Sequence, residues 1–125
     1  MVQDKTQFGL TEDNDRVIAE IEEMNLFPDQ TEIAKFAMAF AIRKCVQPGS
    51  LIGAGTKWHS RGFDKNGEMA VLIKMLYPEV DTPYRAIEYL VNRGLELLNQ
   101  HMHDNRQIDL AALMSDPMQE SVQSL

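Results

Sequence analysis

Any catalysis or metal binding in this chain would have to be built from three histidines (His59, His101, His103), the single Cys45 and one glycine-rich stretch. His101 and His103 stand two residues apart near the end of a predicted helix, so they leave it on different faces and make a poor metal pair. Solvated histidines beside the negative end of the helix dipole are the simpler reading. Cys45 follows Arg43 and Lys44, whose charge favours a thiolate, and His59 in the next loop offers a base, as a Cys-His nucleophile requires. No orienting carboxylate or oxyanion hole accompanies them, which favours a buried structural thiol. A lone cysteine forms no internal disulfide, and no second cysteine or paired histidine completes a zinc site. Gly53-Ala54-Gly55-Thr56-Lys57 lacks the glycine-to-lysine spacing of a phosphate loop and follows a helix instead of a strand. The expectation is a non-enzymatic protein without catalytic residue, metal site or cofactor.

The most informative surface candidate is the basic-aromatic stretch from Lys57 to Lys65. Twelve Lys and Arg against nineteen Asp and Glu give a net charge of −7, which on average repels phosphate backbones. Nucleic-acid binding therefore needs a local exception, and residues 43–65 offer one: Arg43, Lys44, Lys57, Arg61 and Lys65 face only Asp64. Trp58 and Phe63 between these cations can stack on bases while the cations meet phosphates. Alternatively both rings anchor the loop onto the core and the charges are solvated, the more frequent fate of an aromatic residue in a long loop.

The elements that must position these residues are mostly helical. Val2 to Phe8 is compatible with a short strand ending at Gly9. Thr11 is a good N-cap, and Val17, Ile18, Ile21 and Met24 give the following helix one apolar side. Pro28 ends it, and Asp29 with Glu32 approximates a capping box. The second helix is apolar almost all round, from Ile33 to Ile42, so it must be central; its small alanine face allows close approach of another helix, including one from a second copy. Residues 47–67, with five glycines and no helical period, read as one long loop. A third helix spans about Glu68 to Tyr77 with Met69, Leu72, Ile73 and Leu76 facing the core. Thr82-Pro83 opens the longest helix, to about His103, with a stripe of Ile87, Leu90, Val91, Leu95, Leu98 and Met102. A short helical turn over 109–114 and a frayed tail over 115–125 complete the chain.

At 125 residues the chain has the size of one domain, and 44% apolar with 25% charged residues is ordinary globular composition. Met1 to Gln7 shows no signal pattern and no apolar run approaches a bilayer span, which predicts a soluble, cytoplasmic protein. The predicted organisation is a single helical domain over 1–114, made of 1–46, the basic-aromatic loop 47–67 and a helical extension 68–114, with 115–125 as a flexible tail.

The order strand, helix, turn, helix, carried by Lys5-Thr6-Gln7-Phe8-Gly9-Leu10, Thr11 to Asn25 and Thr31 to Cys45, resembles the ribbon-helix-helix family of dimeric repressors and plasmid-maintenance proteins. The resemblance implies that two copies pair their strands into an antiparallel ribbon that enters the major groove. Alternation would put Lys5 and Gln7 on the outward side with Phe8 turned to the core. Two positions depart from the family pattern: Gly9 offers no side chain to read a base, and Asp29 stands where backbone amides approach phosphate. Thr56-Lys57-Trp58, Phe63 to Glu68 and Thr82 to Leu90 are similar to small accessory proteins encoded with bacterial DNA phosphorothioation and plasmid-borne systems, which implies a prokaryotic, DNA-associated role.

The expectations are thus a mainly α-helical fold with four main helices and a short N-terminal strand, homodimeric through the apolar second helix. Lys5, Gln7, Lys57, Trp58 and Arg61 would supply a DNA-binding surface for an accessory or regulatory role. The rival is a dimeric protein-interaction subunit that never touches DNA. Carboxylates surrounding Lys5 and Lys57 would favour the rival.

Overall fold

The computed structural model describes residues 3–105. It is mainly helical with one two-stranded antiparallel sheet: β1 (Gln7–Phe8), α1 (Glu12–Glu23), α2 (Gln30–Arg43), β2 (Trp58–His59), α3 (Ser60–Phe63), α4 (Glu68–Leu76) and α5 (Pro83–Asn105). The expected turn at 109–114 and the tail at 115–125 lie outside the described residues.

Local chemistry explains the helix ends. The Thr11 side chain accepts from Asn14 N–H to open α1, and Asp29 Oδ1 accepts from Glu32 N–H at 2.9 Å to open α2, each satisfying an amide that the helix cannot. Past the end of α2, Cys45 N–H donates to Ile42 O and Val46 N–H to Ala41 O, both at 3.0 Å. This double closure needs a left-handed residue, and Cys45 takes it with φ 61°. The thiol is exposed, which corrects the expectation of a buried one: the helix-closing backbone points the side chain outward.

Helices α1, α2 and α5 form the core, with α2 against α5 as the principal contact and α4 laid on α5. Val17, Ile18 and Ile21 of α1 meet Ile33, Ala34, Ala37, Met38 and Ala41 of α2, and the whole predicted stripe of α5 is buried. A Cβ added to Gly94 would stand 1.9 Å from Ala37 O, so only glycine lets α5 approach α2 this closely. The small face of α2, expected to receive a second copy, is filled by α5 of the same chain.

Two further expectations change. The stretch 47–67 contains β2 and the single turn α3, because Phe8 pairs with Trp58 and Gln7 with His59 across the sheet. In α4 only Ile73 is buried, with Tyr77 following it into the core. Leu72 and Leu76, predicted to face inward, face outward.

Candidate functional site

The N-terminal segment is strapped along α5 by a polar network. Asp4 caps α5: its carboxylate accepts Tyr84 N–H at 2.9 Å and Arg85 N–H at 3.0 Å. One turn on, buried Glu88 takes the Lys5 ammonium on both oxygens and Gly9 N–H on Oε2. A turn further, buried Asn92 accepts Thr11 N–H and Asn14 Nδ2–H and donates to Gly9 O and Glu88 O. Successive turns of α5, at Tyr84 with Arg85, Glu88 and Asn92, thus bind successive parts of residues 4–14. The network satisfies its own donors and acceptors, which is what buried polar groups require. Its role is structural.

The sheet pairs one edge of β1, and the network holds Gly9 just beyond it. Lys57 N–H donates to Phe8 O and Gly55 N–H to Leu10 O on one edge, while Glu88 and Asn92 hold Gly9 on the other. Gly9, expected to point outward, is buried, and a Cβ there would lie 1.7 Å from Gly55 O.

The five residues expected to bind DNA are dispersed in role. Lys5 is held by Glu88 at 2.7 Å, and Lys57 pairs with Asp15 at 3.0 Å. Trp58 is half-buried: its ring lies 5.8 Å from Phe8 and 5.3 Å from Phe63, and its Nε1–H donates to Thr31 Oγ1 at 3.2 Å. The anchoring alternative for this ring and for Phe63 therefore describes their positions. Gln7 is exposed with Nε2 3.4 Å from His59 Nε2. Arg61 is exposed and pairs with no carboxylate among the described residues.

Asp64 is the hinge between this aromatic cluster and α4. Its carboxylate is buried, accepts Met69 N–H and Ala70 N–H at 3.0 Å and takes Tyr84 O–H at 3.0 Å. Burial, the hydrogen bond to Asp64 and the charges of Asp64 and Asp4 push the Tyr84 phenol up to about 12. At the other end of α4, Tyr77 O–H donates to Val46 O at 3.1 Å. Its phenol is also raised, by burial first and by the neighbouring Cys45 second. Helix α4 is therefore fixed at both ends, with its outer side uncovered.

That outer side is the least expected surface of the molecule. Val71, Leu72, Met75 and Leu76 are 58%, 43%, 72% and 46% exposed. They form two adjacent rows, Val71–Met75 and Leu72–Leu76, because residues four apart stack on a helix. The signal was present in the sequence as an excess: α4 carries apolar residues on more sides than one contact with α5 can cover. Among the described residues no cluster of three or more His, Cys, Asp or Glu could hold a metal, and no helix is long and apolar enough to cross a membrane. Compared with family models, curated proteins and solved structures, the chain matches none.

Proposed function

We propose that this chain is a protein-interaction subunit that receives an apolar helix on the outward face of α4. The observation that carries the reading is the pair of rows formed by Val71, Leu72, Met75 and Leu76 on a helix whose ends are fixed by Asp64 and Tyr77. Contiguous apolar surface held on a rigid element favours association, since covering it removes it from water. The flexible thioether of Met75 at its centre adapts to an opposing side chain. Two rows at four-residue spacing fit the ridge of another helix better than an extended strand.

A DNA-associated role has weaker support. Lys5 and Lys57 already have carboxylate partners, and Trp58 is committed to the aromatic cluster. Phosphate contact by these residues would have to break pairs that the fold uses.

The test replaces Met75 with photoreactive p-benzoylphenylalanine in the full chain, irradiated in an extract of the source cells. The expected result is a defined cross-linked protein that disappears when Val71→Glu is added and is absent when the probe sits at exposed Glu20 on α1. Identical patterns from both positions, or adducts to duplex DNA alone, would contradict the reading.

A further inference from the structure

We infer that Asn66 is a site of covalent self-modification: the Gly67 nitrogen closes on the Asn66 side chain with loss of ammonia, and the isoaspartate that follows lengthens the backbone and releases the N-terminal end of α4. This goes beyond the docking reading and does not depend on it. The Asn66 side chain is exposed and makes no hydrogen bond among the described residues. Gly67 after it has φ 71°, a left-handed position that favours glycine. The turn into α4 therefore calls for the one follower that has no side chain to block the attack. The other described asparagines lack this combination: Asn14 and Asn92 are buried and hydrogen-bonded, and Asn25, Asn99 and Asn105 precede Leu26, Gln100 and Arg106.

The attacking nitrogen is held by one bond, Gly67 N–H to Asp64 O at 3.2 Å, at the long end of the normal range, and a local opening of this exposed turn breaks it. Its proton goes to hydroxide, the nitrogen bonds to Asn66 Cγ, and the side-chain amide takes a proton from water and leaves as ammonia. Water then adds to either carbonyl of the cyclic imide and breaks its bond to nitrogen, which gives aspartate or isoaspartate with no change of oxidation state. Position 66 lies within a tied loop, because the Asp64 carboxylate accepts Met69 N–H and Ala70 N–H at 3.0 Å. Isoaspartate routes the backbone through its Cβ, adds a methylene to that loop and pushes the first turn of α4 off the carboxylate. Ordinary aspartate adds no backbone atom, and its charge beside the start of α4 is favourable. Release thus follows the isomer and not the charge.

The test incubates the purified full chain in mildly alkaline water enriched in heavy oxygen and reads the digested peptides by mass spectrometry. The expected result is conversion at Asn66 with one heavy oxygen gained, mostly as isoaspartate and at a rate proportional to hydroxide, while the peptides that carry Asn25 and Asn99 stay unchanged. Asn66→Gln abolishes the conversion, since its longer side chain closes a larger ring far more slowly. Hydrogen exchange at Met69 and Ala70 then runs about tenfold faster in the isoaspartate form than in Asn66→Asp, the loss of one hydrogen bond to a charged acceptor. An Asn66 that keeps its amide in the folded chain for as long as the digested peptide takes to convert overturns the inference. So does isoaspartate at 66 with Met69 and Ala70 as protected as in Asn66→Asp.

Discussion

Glu88 holds the Lys5 ammonium with both carboxylate oxygens, at 2.7 and 2.8 Å, across 83 positions of sequence. Their burial is unequal: the Lys5 side chain is 27% exposed and that of Glu88 only 3%. Removing the cation therefore leaves a carboxylate in the interior without its counter-charge, whereas removing the anion leaves an ammonium that reaches water. Lys5→Met should cost about 3 kcal/mol. Glu88→Gln, whose amide oxygen still accepts Gly9 N–H, should cost about 1 to 2 kcal/mol. Urea denaturation orders the two variants, and Glu88→Gln as the more damaging would overturn this account of the strap.

Gly94 sets the separation of α5 from α2. A methyl group at this position collides with backbone, which cannot rotate away, so Gly94→Ala should destabilise by on the order of 3 kcal/mol. Gly62→Ala is the control: a Cβ there meets nothing within 4 Å. The control should be neutral or stabilising by about 0.5 kcal/mol through the unfolded state. Equal midpoints for the two variants in urea would show that α2 and α5 tolerate separation.

Cys45 occupies a left-handed backbone position that glycine fills without a steric penalty, with φ 61°. Its thiol is exposed, with Arg43 O at 4.0 Å as its hydrogen-bond contact, so the side chain contributes little. Cys45→Gly should raise stability by about 0.5 to 1 kcal/mol, the left-handed strain relieved less the added unfolded entropy. A fall in the thermal midpoint would mean that the thiol makes a contribution larger than this strain.

Tyr84 gives a pH signature at the alkaline end. Its phenol loses a proton at about 12 in the folded chain and near 10 when unfolded. Below pH 10 the phenol is neutral in both states and its stabilising effect is fully present. Between about 10 and 12 the unfolded state releases the proton first, so stability falls as pH rises. Tyr84→Phe removes this group, and its stability should decline less steeply than that of the parent over the same window. Parallel curves from chemical denaturation at each pH would exclude Tyr84 as the source.

Fold class was legible because α1, α2 and α5 each carry a local signal. Thr11 and Asp29 announce helix starts, and Ile87 to Met102 repeat at helical spacing, so neighbouring residues alone define these elements. The small sheet was half legible, since Phe8 alternates with Gln7 but its partner Trp58 lies fifty positions away. Polar residues at core positions, Asn14 in the α1 stripe and Glu88 and Asn92 four apart beside that of α5, were the available sign of the strap. Their partners could not be assigned because every pairing is long-range. The second helix was rightly central, yet an apolar helix does not state whether its cover comes from its own chain or another; Gly94 of α5 decides it. For α4, Met69, Val71, Leu72, Ile73, Met75 and Leu76 populate too many sides for periodicity to choose the inner one. That same excess marks the surface now proposed to meet a partner. The basic residues were legible as charge but not as pairs, because Glu88 and Asp15 reach Lys5 and Lys57 only once the chain is folded.

The central claim, that the outward face of α4 receives a partner helix through Val71, Leu72, Met75 and Leu76, is tested most directly by the reactivity of Met75. Hydrogen peroxide converts an exposed thioether to its sulfoxide at a rate set by access, and peptide mass spectrometry reads each methionine separately. Met24, 37% exposed at the end of α1, is the internal reference. The account predicts that oxidation of Met75 relative to Met24 is several-fold slower in an extract of the source cells than in the purified chain, and that Val71→Glu abolishes the slowing. A Met75 to Met24 rate ratio unchanged between the purified chain and the extract would contradict it.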